Sequence, residues 1–436
     1  MERPYAPLWL LAFALGLGGC AHYSPMPLPA QAASARTDIG SAPLSTVEIE
    51  RQVLMHDPEL QTARARHQIA QAQLLQAGIL PNPSFDANVG YLLSGPGDAT
   101  AWTLGLNEDM QALLTLRTRR SEAKAAANQV DAELLWQEWQ TLGKARLLAV
   151  DIVEDEALAI VQHRLLESLD TRRDALQQAL ERHAIDQLSA APDIAAAADA
   201  HAAWDELQRR LLDERQALNA MLDLAPNVHV TLSALPESPP LDSRAVTAAA
   251  DRLAQHRPDL LALAAGYAAQ DARLRSALLA QFPPLSFGFA AAQDNSRVRS
   301  GGPAVTFALP IFDRNQGAIA VERATRQQLY DEYVARLRQS RDEVLGLLAE
   351  HEQLGAQRQA LASLALADRQ RQQEADIAWR RGSIDLRTYV DLIMATATRE
   401  MNRIALEKAA REQRVAIDIL LGTGLPGALP TQVTAP

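Results

Sequence analysis

The sequence predicts a mainly α-helical chain with a small transmembrane β part, built from a duplicated hairpin-plus-long-helix unit. Three observations predict it. Prolines number 23, yet none falls within 97–191 or 311–425. Pairs of short segments with strand-like alternation precede each of these windows. The two halves of the chain also share motifs in the same order at an offset near 200 residues.

The proline-free windows give the long helices. An interior proline costs a helix about 3 kcal/mol, so these windows are where long helices can run. Leu142, Ala145, Ala149 and Ile152 follow three-and-four spacing, as do Tyr330, Val334, Leu337, Val344 and Leu348. The predicted long helices cover about 116–182 and 314–380, each about 100 Å at roughly 1.5 Å per residue. Aromatics are only 5% and alanine is abundant, which suits helices packed side by side. Return helices are expected at about 193–223 and 385–421.

The strands follow from alternation. Phe85, Ala87, Val89, Tyr91 and Leu93 alternate with Ser84, Asp86, Asn88 and Gly90, and Trp102, Leu104 and Leu106 with Thr103, Gly105 and Asn107. Gly95-Pro96-Gly97-Asp98 between them is turn chemistry. In the second half Leu285, Phe287, Phe289 and Ala291 form one alternating row, and Val305, Phe307, Leu309 and Ile311 the other. The hairpins span about 83–108 and 284–311. Phe85, Val89, Tyr91, Trp102, Leu104, Phe287, Phe289, Val305, Phe307 and Leu309 are the lipid-facing candidates. The strands approach the roughly 9–11 residues that cross a bilayer. Hairpins packed on a soluble core would read the same strand by strand.

The duplication rests on four matches. His56-Asp57-Pro58-Glu59-Leu60 corresponds to His256-Arg257-Pro258-Asp259-Leu260, and Pro81, Ser84 and Phe85 to Pro283, Ser286 and Phe287. Ile185-Asp186 corresponds to Ile384-Asp385, and the segment 217–222 to 416–421. The chain therefore divides into a signal peptide (1–19), a tether (20–44), a first repeat with short helices ahead of its hairpin (45–225), a linker (226–243), a second repeat (244–424) and a tail (425–436).

The N-terminus has Arg3, a short apolar run over 8–17 and Leu17-Gly18-Gly19-Cys20. That is too short for a membrane-spanning helix and has the plan of a secretory signal. It resembles the bacterial lipobox, in which the cysteine thiol is acylated, with a fatty acid such as palmitate. Cys20 is thus the expected lipidation site. It is the only cysteine, so no intrachain disulfide exists. Ala21, in place of an aspartate, favours the outer membrane.

Composition excludes other classes. The net charge of −11 removes the electrostatic basis for nucleic-acid binding. The nine histidines show no ligand-like pairing, so no metal site is expected. Glu350-His351-Glu352 reads as a solvated helix face. No phosphate-cradling loop or nucleophile elbow is present, so no cofactor and no enzymatic activity are expected. Trp136, Trp139, Trp204 and Trp379 read as packing or contact residues.

Four strands are too few to close a barrel, for which eight is about the minimum, and open edges cannot sit in hydrocarbon. The strands must pair between chains, giving eight in a dimer or twelve in a trimer. With polar faces inward, the assembly is a homo-oligomeric duct. The alternative is a lipid-anchored periplasmic coiled-coil scaffold without a pore.

Over about 45–424 the sequence resembles the TolC family of outer-membrane efflux proteins. Carrying the resemblance are Val305-Thr306-Phe307-Ala308-Leu309-Pro310-Ile311-Phe312-Asp313, the run Gly382-Ser383-Ile384-Asp385-Leu386 through Asp391-Leu392, and Leu420-Leu421-Gly422-Thr423-Gly424. It implies a homotrimer whose α-barrel continues a twelve-stranded β-barrel, four strands per chain, anchored in outer-membrane lipid. It also implies a periplasmic adaptor (membrane fusion) protein and an inner-membrane efflux pump as partners, with metal cations or drugs as cargo. The family's inner end carries aspartate rings near helix-hairpin tips. Measured from the tip glycine, Gly382, the second of two such aspartates falls on Asp391 and the first on Thr388, so half of that pair is missing. Asp385, Asp186 and Asp193 are further gate candidates. The segment 106–109 lacks a proline equivalent to Pro310, another departure from the family pattern.

Overall fold

The computed structural model describes residues 23–422 apart from 31–35, 38, 41 and 237–238. Cys20, the signal peptide and the tail from 425 lie outside the described residues. Helices α1 (Thr46–His56) and α2 (Pro58–Ala77) lead into strands β1 (Ser84–Gly90) and β2 (Ala101–Asp109). Helix α3 (Met110–Glu181) and its return α4 (Gln187–Met221) complete the first repeat. The second repeat comprises α5 (Ser243–Ala250), α6 (Leu253–His256), α7 (Pro258–Leu279), β3 (Leu285–Gln293), β4 (Arg299–Phe307), α8 (Gln316–Arg380) and α9 (Leu386–Leu421).

Helices α3 and α8 contain 72 and 65 residues, or about 110 and 100 Å of rod. Helix α3 starts at Met110, earlier than the expected 116. Without a proline at the strand exit, Asp109 caps the helix directly by accepting the Ala112 N–H at 3.0 Å. In the second repeat Pro310 and the left-handed Asn315 (φ 60°) delay α8 to Gln316. Helix α4 starts at Gln187 rather than near 193 and takes Pro192 inside it. Asp186 caps it, and Leu188, whose carbonyl the proline leaves without its helical donor, is fully exposed.

Each repeat builds an equivalent core midway along its rods. Ile49 and Val53 of α1 pack with Ala145, Ala149 and Ile152 of α3, Leu218 of α4, and Leu224 and Val230 that follow it. In the second core Leu253, Val344, Leu348 and Ile417 occupy matching places, and Leu260 joins them. Val53 and Leu253, Ala145 and Val344, and Ala149 and Leu348 are repeat-related by sequence offset and all buried. The repeats join where α9 lies on α3: Trp139 Nε1 donates to the Ile419 carbonyl at 2.8 Å. A Cβ on Gly143 would stand 2.5 Å from Ile419 Cδ1, so a larger residue there would have to displace the Ile419 side chain.

Lateral order is the main result of the packing. Toward the sheet the rods run α2, α3, α7, α8; toward the far tips they run α4, α3, α9, α8. The strands run β1, β2, β3, β4, all antiparallel. The two hairpins thus fuse into one four-stranded sheet. Every layer has the same open flanks, first-repeat elements (β1, α2, α4) on one side and β4 with α8 on the other.

Candidate functional site

The sheet register gathers the apolar rows onto one face. Phe85 faces Leu106, Ala87 faces Leu104, and Val89 faces Trp102. Across β2 and β3, Leu106 faces Phe289 and Leu104 faces Ala291; across β3 and β4, Phe287 faces Val305 and Leu285 faces Phe307. Phe85, Val89, Leu104, Leu106, Phe287, Phe289, Val305 and Phe307 are all exposed. So broad an apolar patch on a water-facing surface would be an aggregation hazard. Glu108 bounds the patch at the helical end, and Gln293 and Arg299 at the loop end.

The opposite face carries Ser84, Asp86, Asn88, Thr103, Asn107, Ser286, Ser300 and Thr306 with small residues between them. Asn107 Nδ2 donates to Asp86 Oδ2 at 2.8 Å across this face. A Cβ on Gly288 would lie 2.3 Å from both Asn107 Oδ1 and the Leu106 carbonyl oxygen. Gly288→Val is therefore expected to part β2 from β3 and to cut the yield of assembled protein severalfold, read by gel filtration.

Two of the lipid-facing strand candidates lie outside the strands. Tyr91 follows the end of β1 and Leu309 follows the end of β4. The loop from 91 turns early because Asp98 and Ala99 donate their N–H groups to the Asn295 carbonyl and the Asp98 carboxylate binds Arg297 at 2.7 Å. At Leu309 the chain bends toward Pro310, with the Ile311 N–H bonded back to the Leu309 carbonyl. Leu93 and Ile311 fall outside the strands for the same reasons.

At the far end, both rod pairs turn through the same motif. His183 (φ 53°) and Gly382 (φ 70°) hold the left-handed position, and the N–H groups of Ala184 and Ser383 reach back to Ala179 and Ala378. Asp186 and Asp385 then cap the return helices, accepting the N–H groups of Ser189 and Thr388, each at 2.7 Å. Those backbone N–H groups hold both carboxyls below the usual carboxylate range. Thr388 thus serves the cap through its backbone. Tyr389 stacks on Trp379 and donates to Asp376 at 3.0 Å, tying α9 to α8.

Asp193 and Asp391 meet on one cation. Arg172 of α3, with its side chain 5% exposed, reaches Asp193 of α4 at 2.5 Å and Asp391 of α9 at 2.7 Å. Beside it Leu169, Ala197 and Val390 make a small apolar core. The guanidinium thus ties both return helices to the first rod. Sequence reasoning missed Arg172. Its signal was a charge that continues the Leu165, Leu169 spacing into a buried seam.

No protein-family model matches the sequence, and no curated protein matches it. Solved structures do. A membrane protein from Pseudomonas aeruginosa is 18% identical, with a TM-score of 0.70 over 93% of this chain and 97% of that one. The outer-membrane channel OprN is 16% identical, with a TM-score of 0.69 over 92% and 99%. The chain has the fold of the TolC-type outer-membrane channels. The Neisseria gonorrhoeae MtrE outer membrane channel, solved in its open state, aligns over 92% of this chain and 98% of its own, at 16% identity and a TM-score of 0.67. The TolC-type fold thus runs through sheet, rods and tips alike. Among the described residues, no helix is long and apolar enough to cross a membrane, and no cluster of three or more His, Cys, Asp or Glu side chains could hold a metal ion.

Proposed function

We propose that this chain is the outer-membrane channel component of a tripartite efflux pump, a passive duct for cargo such as metal cations or drugs. One observation carries the reading: a four-stranded sheet, apolar on one face and polar on the other, with both edges unpaired. In hydrocarbon those edges must be closed, and the β4 edge of one copy meets the β1 edge of the next. The same head-to-tail contact brings α8 against the neighbour's α2 and α4, closing the rods into a tube. Three copies give twelve strands, the homotrimer that the TolC-type fold favours. The strands of seven to nine residues reach about 23–30 Å, the height of an outer-membrane apolar band.

Cys20 would add an acyl anchor from the periplasmic side of the outer membrane. A periplasmic adaptor would meet the tips and an inner-membrane pump would supply energy, so the duct itself performs no covalent chemistry. Arg172 would hold the tips drawn together, with Asp193 and Asp391 as the gate carboxylates it restrains.

Planar-bilayer recording tests the proposal. Purified protein should form discrete conducting units of trimeric mass. A preparation that stays peripheral and conducts nothing, with both hairpins open to protease in intact outer membranes, would support the scaffold alternative instead.

A further inference from the structure

Midway along the rods, where α3, α4 and α9 meet, buried charge is out of balance. Lys408 of α9 binds Asp155 at 3.0 Å and Asp151 at 3.2 Å, both from α3, and approaches Glu214 of α4 at 4.0 Å. Arg210 of α4 takes the other Asp155 oxygen at 2.6 Å. Glu412 of α9 adds a fourth carboxyl beside Asp151. Four carboxyls therefore share two cations. On the adjoining turns Glu154 of α3 binds Arg411, which also binds Glu407, and Arg358 of α8 binds Glu407 in turn. Arg403 joins that outer group and leaves the inner imbalance unchanged.

Two features of the geometry favour protons. Four carboxyls crowded around Lys408 and Arg210 repel one another, and a proton on one relieves the repulsion. Glu214 Oε2 is buried without any hydrogen-bond partner, a position in which a charged oxygen is heavily penalised. We propose that this junction is a proton-binding joint, in which Glu214 and Glu412 take up protons to tighten α4 and α9 on α3 and release them to loosen it. The joint would titrate whether or not the sheet meets lipid.

The electrostatics agree. Burial, followed by the Asp155 carboxylate, pushes Glu214 up to about 7. Burial, followed by the Asp151 carboxyl, pushes Glu412 up to about 7. Both folded values lie above the ordinary 4.5, so the packed junction binds protons that an open one has released. The stabilisation is full below about pH 4.5 and lost as the pH rises through about 7. The two return helices are thereby loosened together, since both are held to α3 through the same carboxyl cluster.

Amide hydrogen exchange on the full-length protein, corrected for intrinsic rates, reads the joint directly. Protection over 207–218 and 405–416 should rise about tenfold per proton between pH 8 and pH 6. Glu214→Gln with Glu412→Gln, fixed in the neutral form, should be protected at least as well as wild type at pH 6, with the same protection at both values. An unchanged wild-type profile, or a pH response surviving in the double variant, would overturn the proposal. If the double variant does not fold, infrared spectra of wild type decide. A protonated-carboxyl band titrating near pH 7 supports the joint, and its absence at pH 6 refutes it.

Discussion

Arg172→Ala is expected to free both helix-hairpin tips at once. The guanidinium is the shared partner of Asp193 and Asp391 and lies almost wholly inside the seam. Removing one member of a buried ion pair costs about 3–5 kcal/mol, because the other is left charged and unpaired. Here the discount is substantial. Asp193 is 21% exposed and Asp391 57%, so water recovers part of the loss and about 2 kcal/mol remains at the tip. That is roughly a thirtyfold rise in local opening, visible as faster amide exchange over 186–196 and 386–394 with little change at the mid-rod cores. Under the duct reading the same variant should raise single-channel conductance. A triple variant, Arg172→Met with Asp193→Asn and Asp391→Asn, removes every charge and should recover most of the lost protection. If Arg172→Ala leaves tip exchange unchanged, the arginine is not the clasp.

Leu104→Arg should be the most damaging change in the sheet. Leu104 sits near the middle of the apolar face, flanked by Ala87 on β1 and Ala291 on β3. An arginine at the midplane of a membrane barrel costs about 2–4 kcal/mol, which lowers the inserted fraction at least thirtyfold. The adjacent Thr103→Arg turns the same charge to the polar face and should insert normally while altering ion selectivity. Carbonate-resistant membrane fractions separate the two. Equal loss for both, or for neither, would contradict the assigned faces.

Much of this was legible because its causes are local. Proline exclusion marked both rods, and period-two alternation marked three strands and only the end of β4, which begins at Arg299 within a polar, glycine-bearing stretch. The turn pairs Ile185-Asp186 and Ile384-Asp385 repeat the same capping geometry. What escaped depends on distant partners. Alternation says which residues share a face within one strand, but not that Leu106 meets Phe289 across the two hairpins. The strand limits at Tyr91 and Leu309 are imposed by the contact between residues 98–99 and Asn295 and by the bend into Pro310. Among the four aspartates near the tips the sequence sets only Asp391 apart, and it does not show which partner each one meets. Backbone caps use two of them, and Arg172 uses the other two. The carboxyl-rich junction was invisible for a similar reason, since Asp151, Glu214 and Glu412 are far apart in sequence.

A nitroxide-bearing unnatural side chain, placed singly along 84–90 and 285–293 in membrane-reconstituted protein, tests the central claim most directly. Accessibility to oxygen, which concentrates in lipid, and to a water-soluble nickel chelate should alternate with period two and opposite phase. Oxygen should peak at Phe85, Val89, Phe287 and Phe289, and nickel at Asp86, Asn88, Ser286 and Gly288. Nickel reaching both faces equally, or neither probe reaching the phenylalanines, would contradict a sheet that stands in lipid around water.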